Sequence, residues 1–600
     1  MADDDRGGLR QRLPELNLNR KIIKKHLRKA ESATIRHTHK FIIKRWNNVR
    51  EVQTKVMMWM IVMGFLILAT GLQLMWFQRS YLTTAAAKDG TYAEAVLGPV
   101  DTLNPILANT SAEQSASYLM FSSLLRYDKT GHLNNDLATS IKSNEAKTIY
   151  TVNIRPDAKW QDGAALTAKD VAFTVGLLKN PNVRSTITGW TNISAKATGN
   201  YTVEFTLPAV YAAFEHALTF PILPEHILGK IAPGSIRENN FSNNPIGSGA
   251  FKFSFIQTVS TKSDHKIIYM THNDQYYGGI SNLAKMQLNT YTTNDEIISA
   301  LAANEVNAAA DLSPVDIGQI DSKRYSVSVD PIQSGVYAII NTKSRLMSDI
   351  NLRRALQLAT DTKGVREELP PTTPSLDSPF TNNQLTGVDV PKAPQYDLVA
   401  ANKILSDNGW VVGANNIRQK DGQQLKISII TTKNSEFETV LDILAGQWLK
   451  AGVAVETQVI DPNSSSQNFV QNILQPRNFD VLLYRLNIGA DPDVYAYWHS
   501  SQVTPQGLNF SNYSDVISDD ALSSARVRFE PDLRNAKYIT FAKQWISDVP
   551  AIGLYQSTAQ YVYRRNVQAI NPSDVLVSAV DRYVNVLDWS IGTRTVYKTP

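Results

Sequence analysis

Residues 484–499 read Tyr-Arg-Leu-Asn-Ile-Gly-Ala-Asp-Pro-Asp-Val-Tyr-Ala-Tyr-Trp-His. Two carboxylates flank a proline, and three aromatic side chains follow closely. A carboxylate in a loop leaving a strand can pair with a ligand ammonium, and aromatics can line an apolar pocket. The candidate ligand contacts are therefore Asp491, Asp493, Tyr484, Arg485, Asn487, Tyr495 and Trp498. The same residues also describe a turn in which Asp491 or Asp493 caps the next helix. On spacing alone both readings stand.

Little else in the chain suggests chemistry. There is no cysteine among the 600 residues, which excludes disulfides, thiolate nucleophiles and thiolate-bound metals. No phosphate loop with its lysine occurs, and no Gly-x-Ser-x-Gly nucleophile elbow. Pro245-Ile-Gly-Ser-Gly249 reads as a tight turn entering a strand at Phe251. His132, His216, His226, His265, His272 and His499 are scattered, with no His-x-x-x-His pair. His26, His37 and His39 have no acidic or cysteine partners at ligand spacing. No catalysis, no metal and no cofactor are expected.

The elements that must position the 484–499 loop alternate strand and helix. Leu425–Ile430 and Val453–Ile460 read as strands, with a helix over Glu436–Ala451 ended by Gly452. That spacing predicts a βαβ unit. Further strands are expected at Val336–Asn341, Asp480–Arg485 and Ile552–Tyr555, and helices near Leu352–Asp361, Ala400–Asn408, Asp519–Phe529 and Ala536–Ser547. Earlier in the chain, Ser111-Ala-Glu-Gln114 and Thr167-Ala-Lys-Asp170 have the form of capping boxes. Tyr150–Ile154, Tyr201–Leu207 and Phe251–Phe255 alternate as strands, and Asn294 opens a helix through Ala303.

Val56–Phe77 is a run of 22 residues without a formal charge. As a helix it extends about 33 Å, enough for a hydrocarbon core of about 30 Å. Trp59 and Trp76 sit near its ends. Residues 1–55 hold 15 Lys/Arg against 6 Asp/Glu, a net of +9 against +5 for the whole chain, so residues 56–600 carry −4. The positive flank is expected to stay inside the cell, leaving everything after Phe77 outside. The basic balance thus belongs to the tail, and no nucleic-acid partner is expected. Residues 20–55 mix basic side chains with Ile22, Ile23, Leu27, Phe41 and Trp46, which suits an amphipathic helix on anionic lipid or a topogenic tail.

Several stretches, in order, resemble one family. Thr102-Leu-Asn-Pro105 with Leu124-Leu-Arg-Tyr127 resembles its opening segment. Trp160-Gln-Asp-Gly163 and Leu166-Thr-Ala-Lys-Asp-Val171 resemble its most recognisable signature. Asn244–Phe251, Asn273–Gly279, Asn351–Leu356 with Asp361, Asp491-Pro-Asp493 and Asp548–Ile552 resemble later runs. From about Thr102 to Gln568 the chain is similar to the extracytoplasmic solute-binding proteins of ABC importers, of the oligopeptide/dipeptide (peptide/nickel) type. The resemblance implies an α/β, two-lobed periplasmic-binding-protein-like (type II) fold with a hinge, here preceded by one N-terminal transmembrane helix. It implies lobe one at 91–333 plus 555–600, with an inserted subdomain at about 128–245, and lobe two at 334–554. The tail is 1–55, the span 56–77 and the linker 78–90. In peptide binders of this family an aspartate after a lobe-two strand holds the peptide ammonium, and Asp491 is the best match, with Asp493 the alternative. Here the loop is shorter than usual, and the anchor is a membrane helix in place of a cleaved signal or lipid.

The implied function is capture of peptides, or a related small solute, for the permease subunits of an ABC importer. The protein is expected in the cell membrane, single-pass, with its binding region extracytoplasmic. The alternative is a membrane-anchored ligand sensor that signals through the basic cytoplasmic tail.

Overall fold

In the computed structural model, alternation along one 16-residue strand, Tyr325–Ile340, feeds two cores. Val336, Ala338 and Ile340 enter one core with Leu352, Leu444 and Trp448. Tyr337 and Ile339 enter the other with Trp498, Phe541 and Trp545. Successive side chains of a strand point to opposite faces, so one strand serves both layers. The structure describes residues 49–313, 316–461, 468–570 and 575–597, and the single positions Lys29, Ser32 and Ile35. The rest of the tail before Val49, including His26, His37 and His39, lies outside the described residues.

Two compact units are present, 86–594 and 1–85 with 595–600. In the larger, ten strands form one sheet in the order 454–460, 426–432, 481–487, 325–340, 551–564, 308–310, 90–97, 283–291, 265–272 and 251–260. Two strands run the full depth of it. Tyr325–Ile340 and the 14-residue Ala551–Arg564 pair antiparallel throughout. Their first half, Tyr325–Pro331 against Thr558–Arg564, lies on the lobe-one side, where Ala308–Ala310 joins. Their second half lies on the lobe-two side, where Val481–Asn487 joins. Between them the register shifts at Pro331/Gly335. A proline cannot donate to a ladder, so the change of lobe falls where pairing is already broken.

The βαβ unit forms as its pattern requires. Lys426–Thr432 and Ala454–Ile460 are parallel neighbours. Helix Ser435–Lys450 between them is capped by Asn434 and buries Phe437, Val440, Leu441, Leu444 and Trp448 on one stripe. Gly452, at φ +83°, reverses the chain into the second strand.

On the lobe-one side, helix Ser111–Met120 begins one residue earlier than the template at Ser111 implies. Thr110 is the cap, and Glu113 is its partner. Both registers fit the template, but the charged acceptor prevails: Glu113, 3% exposed, takes the N–H groups of Asp101, Thr102, Asn109 and Thr110. The Pro245–Gly249 turn packs against the end of this helix. A β-carbon on Gly247 would lie 1.9 Å from the Met120 carbonyl oxygen, and on Gly249 2.6 Å from that of Leu119. The glycines serve close backbone approach. A separate four-stranded antiparallel sheet (138–143, 149–154, 202–206 and 194–199) carries helix Ala168–Leu178.

In the smaller unit, Val49–Tyr81 is one 33-residue helix. Its segment Gln53–Arg79 is long and apolar enough to cross a membrane by length and composition, and none of it is buried. Strand Leu82–Ala86 follows and pairs with Thr593–Tyr597.

Candidate functional site

A cavity of about 410 Å³ lies between the two lobes, against the two long strands. Lobe one contributes Gly98, Ser111, Asn294 and Asp311; lobe two contributes Asn434, Glu436 and Arg485; the crossing strands contribute Ser328, Asp330, Thr558 and Gln560. Gly98, Asn294, Asp311 and Asn434 follow the carboxyl ends of parallel strands, where α/β sheets open their crevices, whereas Arg485 lies within the strand Val481–Asn487. The volume falls within the roughly 300–1,000 Å³ of small-molecule sites.

Charge on the walls is organised by buried networks. Arg485 bonds both oxygens of Glu436 at 3.1 Å through Nη2, and the Tyr555 hydroxyl donates to Glu436 at 2.7 Å. On the floor, Arg582 bonds Glu94 at 2.7 Å, and both are buried. Tyr583 and Tyr561 each donate to Glu94 at 2.7 Å. Burial first, then the Glu94 charge, raises the Tyr561 phenol well above its ordinary range, so it remains a donor. Tyr583 is raised for the same leading reason, with Arg582 opposing.

Of the seven residues singled out in the sequence, Arg485 lines this cavity. The other six are placed beside it or in the core. Asp491 takes Arg534 on both oxygens at 2.6 Å and the Asp493 N–H at 3.0 Å. Asp493 is buried, lies 3.2 Å from Arg526 and accepts the Tyr495 N–H. Burial raises its carboxyl above the usual value, with Arg526 opposing. Both carboxylates thus bond within the loop, while the residue that caps the next helix, Tyr495–Trp498, is Val494, with no side-chain cap bond. Trp498 is 1% exposed and packs edge-on against Tyr337 and Trp545. Tyr484 packs against Phe469 and Phe510. Tyr495 stacks on His499 at 4.0 Å. Asn487 accepts from Ser334 at 2.9 Å, at the change of lobe. An aspartate beside a proline looks the same in sequence whether or not an arginine 43 residues later claims it.

The loop also meets residues 211–216, in the part expected from the sequence to be an insert, directly. The Arg526 guanidinium lies between Tyr211 of that part, at 4.6 Å, and Tyr495, at 4.5 Å. The Ala212 N–H donates to the Arg526 carbonyl at 2.9 Å. His216 lies 3.9 Å from Asp491 and 2.9 Å from the Tyr127 hydroxyl. Burial pulls its imidazole below 6.5, against the opposing pull of Asp491. The lobes are thus in contact in this structure.

Sequence reasoning missed Glu436, Asp311, Asp330 and Arg582. Glu436 offered one signal, its place in the first turn of the βαβ helix. The others owe their position to strand pairings distant in the chain.

Comparison with known proteins agrees with this architecture. Residues 132–507 match the bacterial extracellular solute-binding proteins, family 5. The oligopeptide-binding protein AppA of Bacillus subtilis is 26% identical over 488 residues, 79% of this chain and 87% of that protein. Protein XP55 of Streptomyces lividans is 26% identical over 469 residues, 75% and 80% of the two chains. The solved structure of Bacillus subtilis AppA with a nonapeptide superposes with a TM-score of 0.71 at 24% identity, covering 84% of this chain and 100% of that one. NikZ of Campylobacter jejuni, in complex with Ni(L-His), gives 0.71 at 23% identity, covering 83% and 99%. A two-lobed α/β body with a cavity at the lobe boundary, matched over more than half its length to one family, belongs to the bacterial extracellular solute-binding proteins, family 5, the peptide/nickel group of ABC-importer receptors.

Proposed function

We propose that this protein captures short peptides between its lobes and presents them to the permease of an ABC importer, while the Val49–Tyr81 helix holds it at the outer face of the cell membrane. The observation that carries this reading is the cavity walled by both lobes and by both crossing strands. A solute there touches both bodies only when they are closed, so binding shifts the population toward the closed form. The closing bodies are 91–333 with 555–600, carrying the insert 128–245, and 334–554. They meet beside the register shift at Pro331/Gly335. The closed form is the state the permease engages. The mixed polar and apolar lining suits a small polar solute.

The test is to extract the full chain from membranes in detergent, wash it, denature it and identify the released solutes by mass spectrometry. Short peptides at near-equimolar yield are the expected result. Recovery of a non-peptide solute, together with failure to bind any peptide from a random pool, would overturn the peptide assignment. Deleting residues 1–48 should leave solute uptake intact; loss of uptake with binding unchanged would favour signalling through the tail.

A further inference from the structure

The lobes also meet away from the cavity, around the end of helix Val516–Arg526. That helix enters a lobe-two core through Ala521, Leu522 and Ala525. Segment 211–216 faces it and enters the lobe-one core through Phe214. A helix leaves its last carbonyls without partners inside the helix. Here the Ser524 carbonyl takes Arg528 Nη1 at 2.7 Å and the Ala525 carbonyl takes the Arg528 N–H at 3.3 Å, both within lobe two. The Arg526 carbonyl instead takes the Ala212 N–H of lobe one, at 2.9 Å. The Arg526 side chain crosses the same boundary. Lobe two holds it through Asp493, 3.2 Å from its Nε, and through the Tyr495 ring, 4.5 Å from its guanidinium carbon. The Tyr211 ring of lobe one lies 4.6 Å from that carbon. Beside it, Lys147 of lobe one lies 5.2 Å over the Phe529 ring. None of these residues lines the cavity.

We infer that Arg526 is a latch between the lobes: it keeps a share of the molecules closed before any solute arrives, and so sets the affinity for every solute alike. The effect on affinity rests on the capture reading above; the closing contact does not. Every group in the contact belongs to the chain itself. Asp493 and Tyr495 sit on the same lobe as Arg526 and hold its guanidinium in place, so closing does not have to order a free side chain. The planar cation then meets the Tyr211 ring, a contact favoured by the ring's electron-rich face. Opening removes that ring and returns the Ala212 N–H and the Arg526 carbonyl to water, where the hydrogen bond is largely replaced. A solute that binds only the closed form has its apparent affinity scaled by the closed share. The latch therefore sets the strength of capture and leaves selection among solutes to the cavity.

The test uses the full chain in detergent micelles with Lys196→Cys in lobe one and Lys450→Cys in lobe two. Both positions are exposed, and the chain has no cysteine of its own, so spin labels go only there. Two changes break the contact from opposite sides. Tyr211→Leu keeps an apolar side chain against the lobe-one core. Arg526→Gln with Asp493→Asn leaves no carboxylate without its cation. Without added peptide, pulsed dipolar spectroscopy of the parent should show two distance populations, and either change should deplete the same one. In equilibrium dialysis against a random tri- to pentapeptide pool, either change should lower retention about fivefold, with the relative abundance of the retained peptides unaltered. Combining the two should add little, because both remove one contact. Identical distance populations in parent and variants would overturn the latch, as would unchanged retention. Loss confined to some peptides would also overturn it, by placing Arg526 at the solute. If no peptide is retained by the parent while the distances still shift, peptide capture falls and the latch stands.

Discussion

Asp491 and His216 approach one another to 3.9 Å across the lobe boundary. Asp491 and Arg534 are each nearly buried, at 12% and 14% exposure, and bonded on both oxygens. Removing one partner of such a pair leaves a buried charge uncompensated, a loss of about 3 kcal/mol or more. Asp491→Asn should lower unfolding stability by that order in urea titration. If Asp491 works by holding the loop, the same variant should weaken free and N-acetylated peptides equally; a selective loss for the free peptide would restore an ammonium role. His216 gives a pH signature. Its folded value is depressed below 6.5 by burial, so the native protein favours the neutral ring. The stability this contributes is complete above about pH 6.5 and is lost as the pH falls below it through the folded value. Thermal unfolding should therefore show a decline in that window, and His216→Gln should flatten it. An unchanged profile would remove His216 from the account.

At the scale of elements, the two crossing strands and the glycine turn carry the clearest demands. The turn at Gly247 brings backbone to backbone, leaving no room for a side chain beside the Met120 carbonyl. Gly247→Ala should destabilise the protein by at least the roughly 1–3 kcal/mol typical of overpacking, seen as a lowered unfolding midpoint, although the added methyl suits most turns. A variant as stable as the parent would show that this approach is relaxed in solution. The same turn explains why a glycine-rich run here has no bearing on phosphate. The crossing strands were legible only in their lobe-two halves, Val336–Asn341 and Ile552–Tyr555, where apolar runs are dense. Their other halves, Tyr325–Pro331 and Thr558–Arg564, contain two serines, a threonine, a glutamine, a proline and two charged residues. Long-range pairing along the whole strand makes them β despite that composition.

For the whole molecule, the proposed attachment to the membrane falls to one helix. The helix Val49–Tyr81 offers an apolar segment, Gln53–Arg79, with none of it buried against protein. If it is the anchor, Leu66→Lys with Leu68→Lys should abolish it, since each lysine costs about 2.5–3.5 kcal/mol at a helix centre. The variant should leave the membrane fraction on alkaline carbonate washing, whereas the parent should resist it. Protease added to intact cells should digest the 86–594 body; its survival beside a digested surface control would reverse the proposed topology.

Sequence alone determined the family, the α/β alternation, the βαβ unit and the apolar helix. Each depends on periodicity or on motifs that neighbours in the chain supply. It also singled out Arg485, through the strand that ends in the aspartate loop. Only the tertiary structure decided which charges face the cavity. Asp491 is bound by Arg534, 43 residues later, and Arg582 by Glu94, 488 residues earlier, while Asp311, Asp330, Glu436 and Arg485 are gathered around one cavity. Which partner a charge meets depends on contacts between residues far apart in the chain, and local sequence does not encode them.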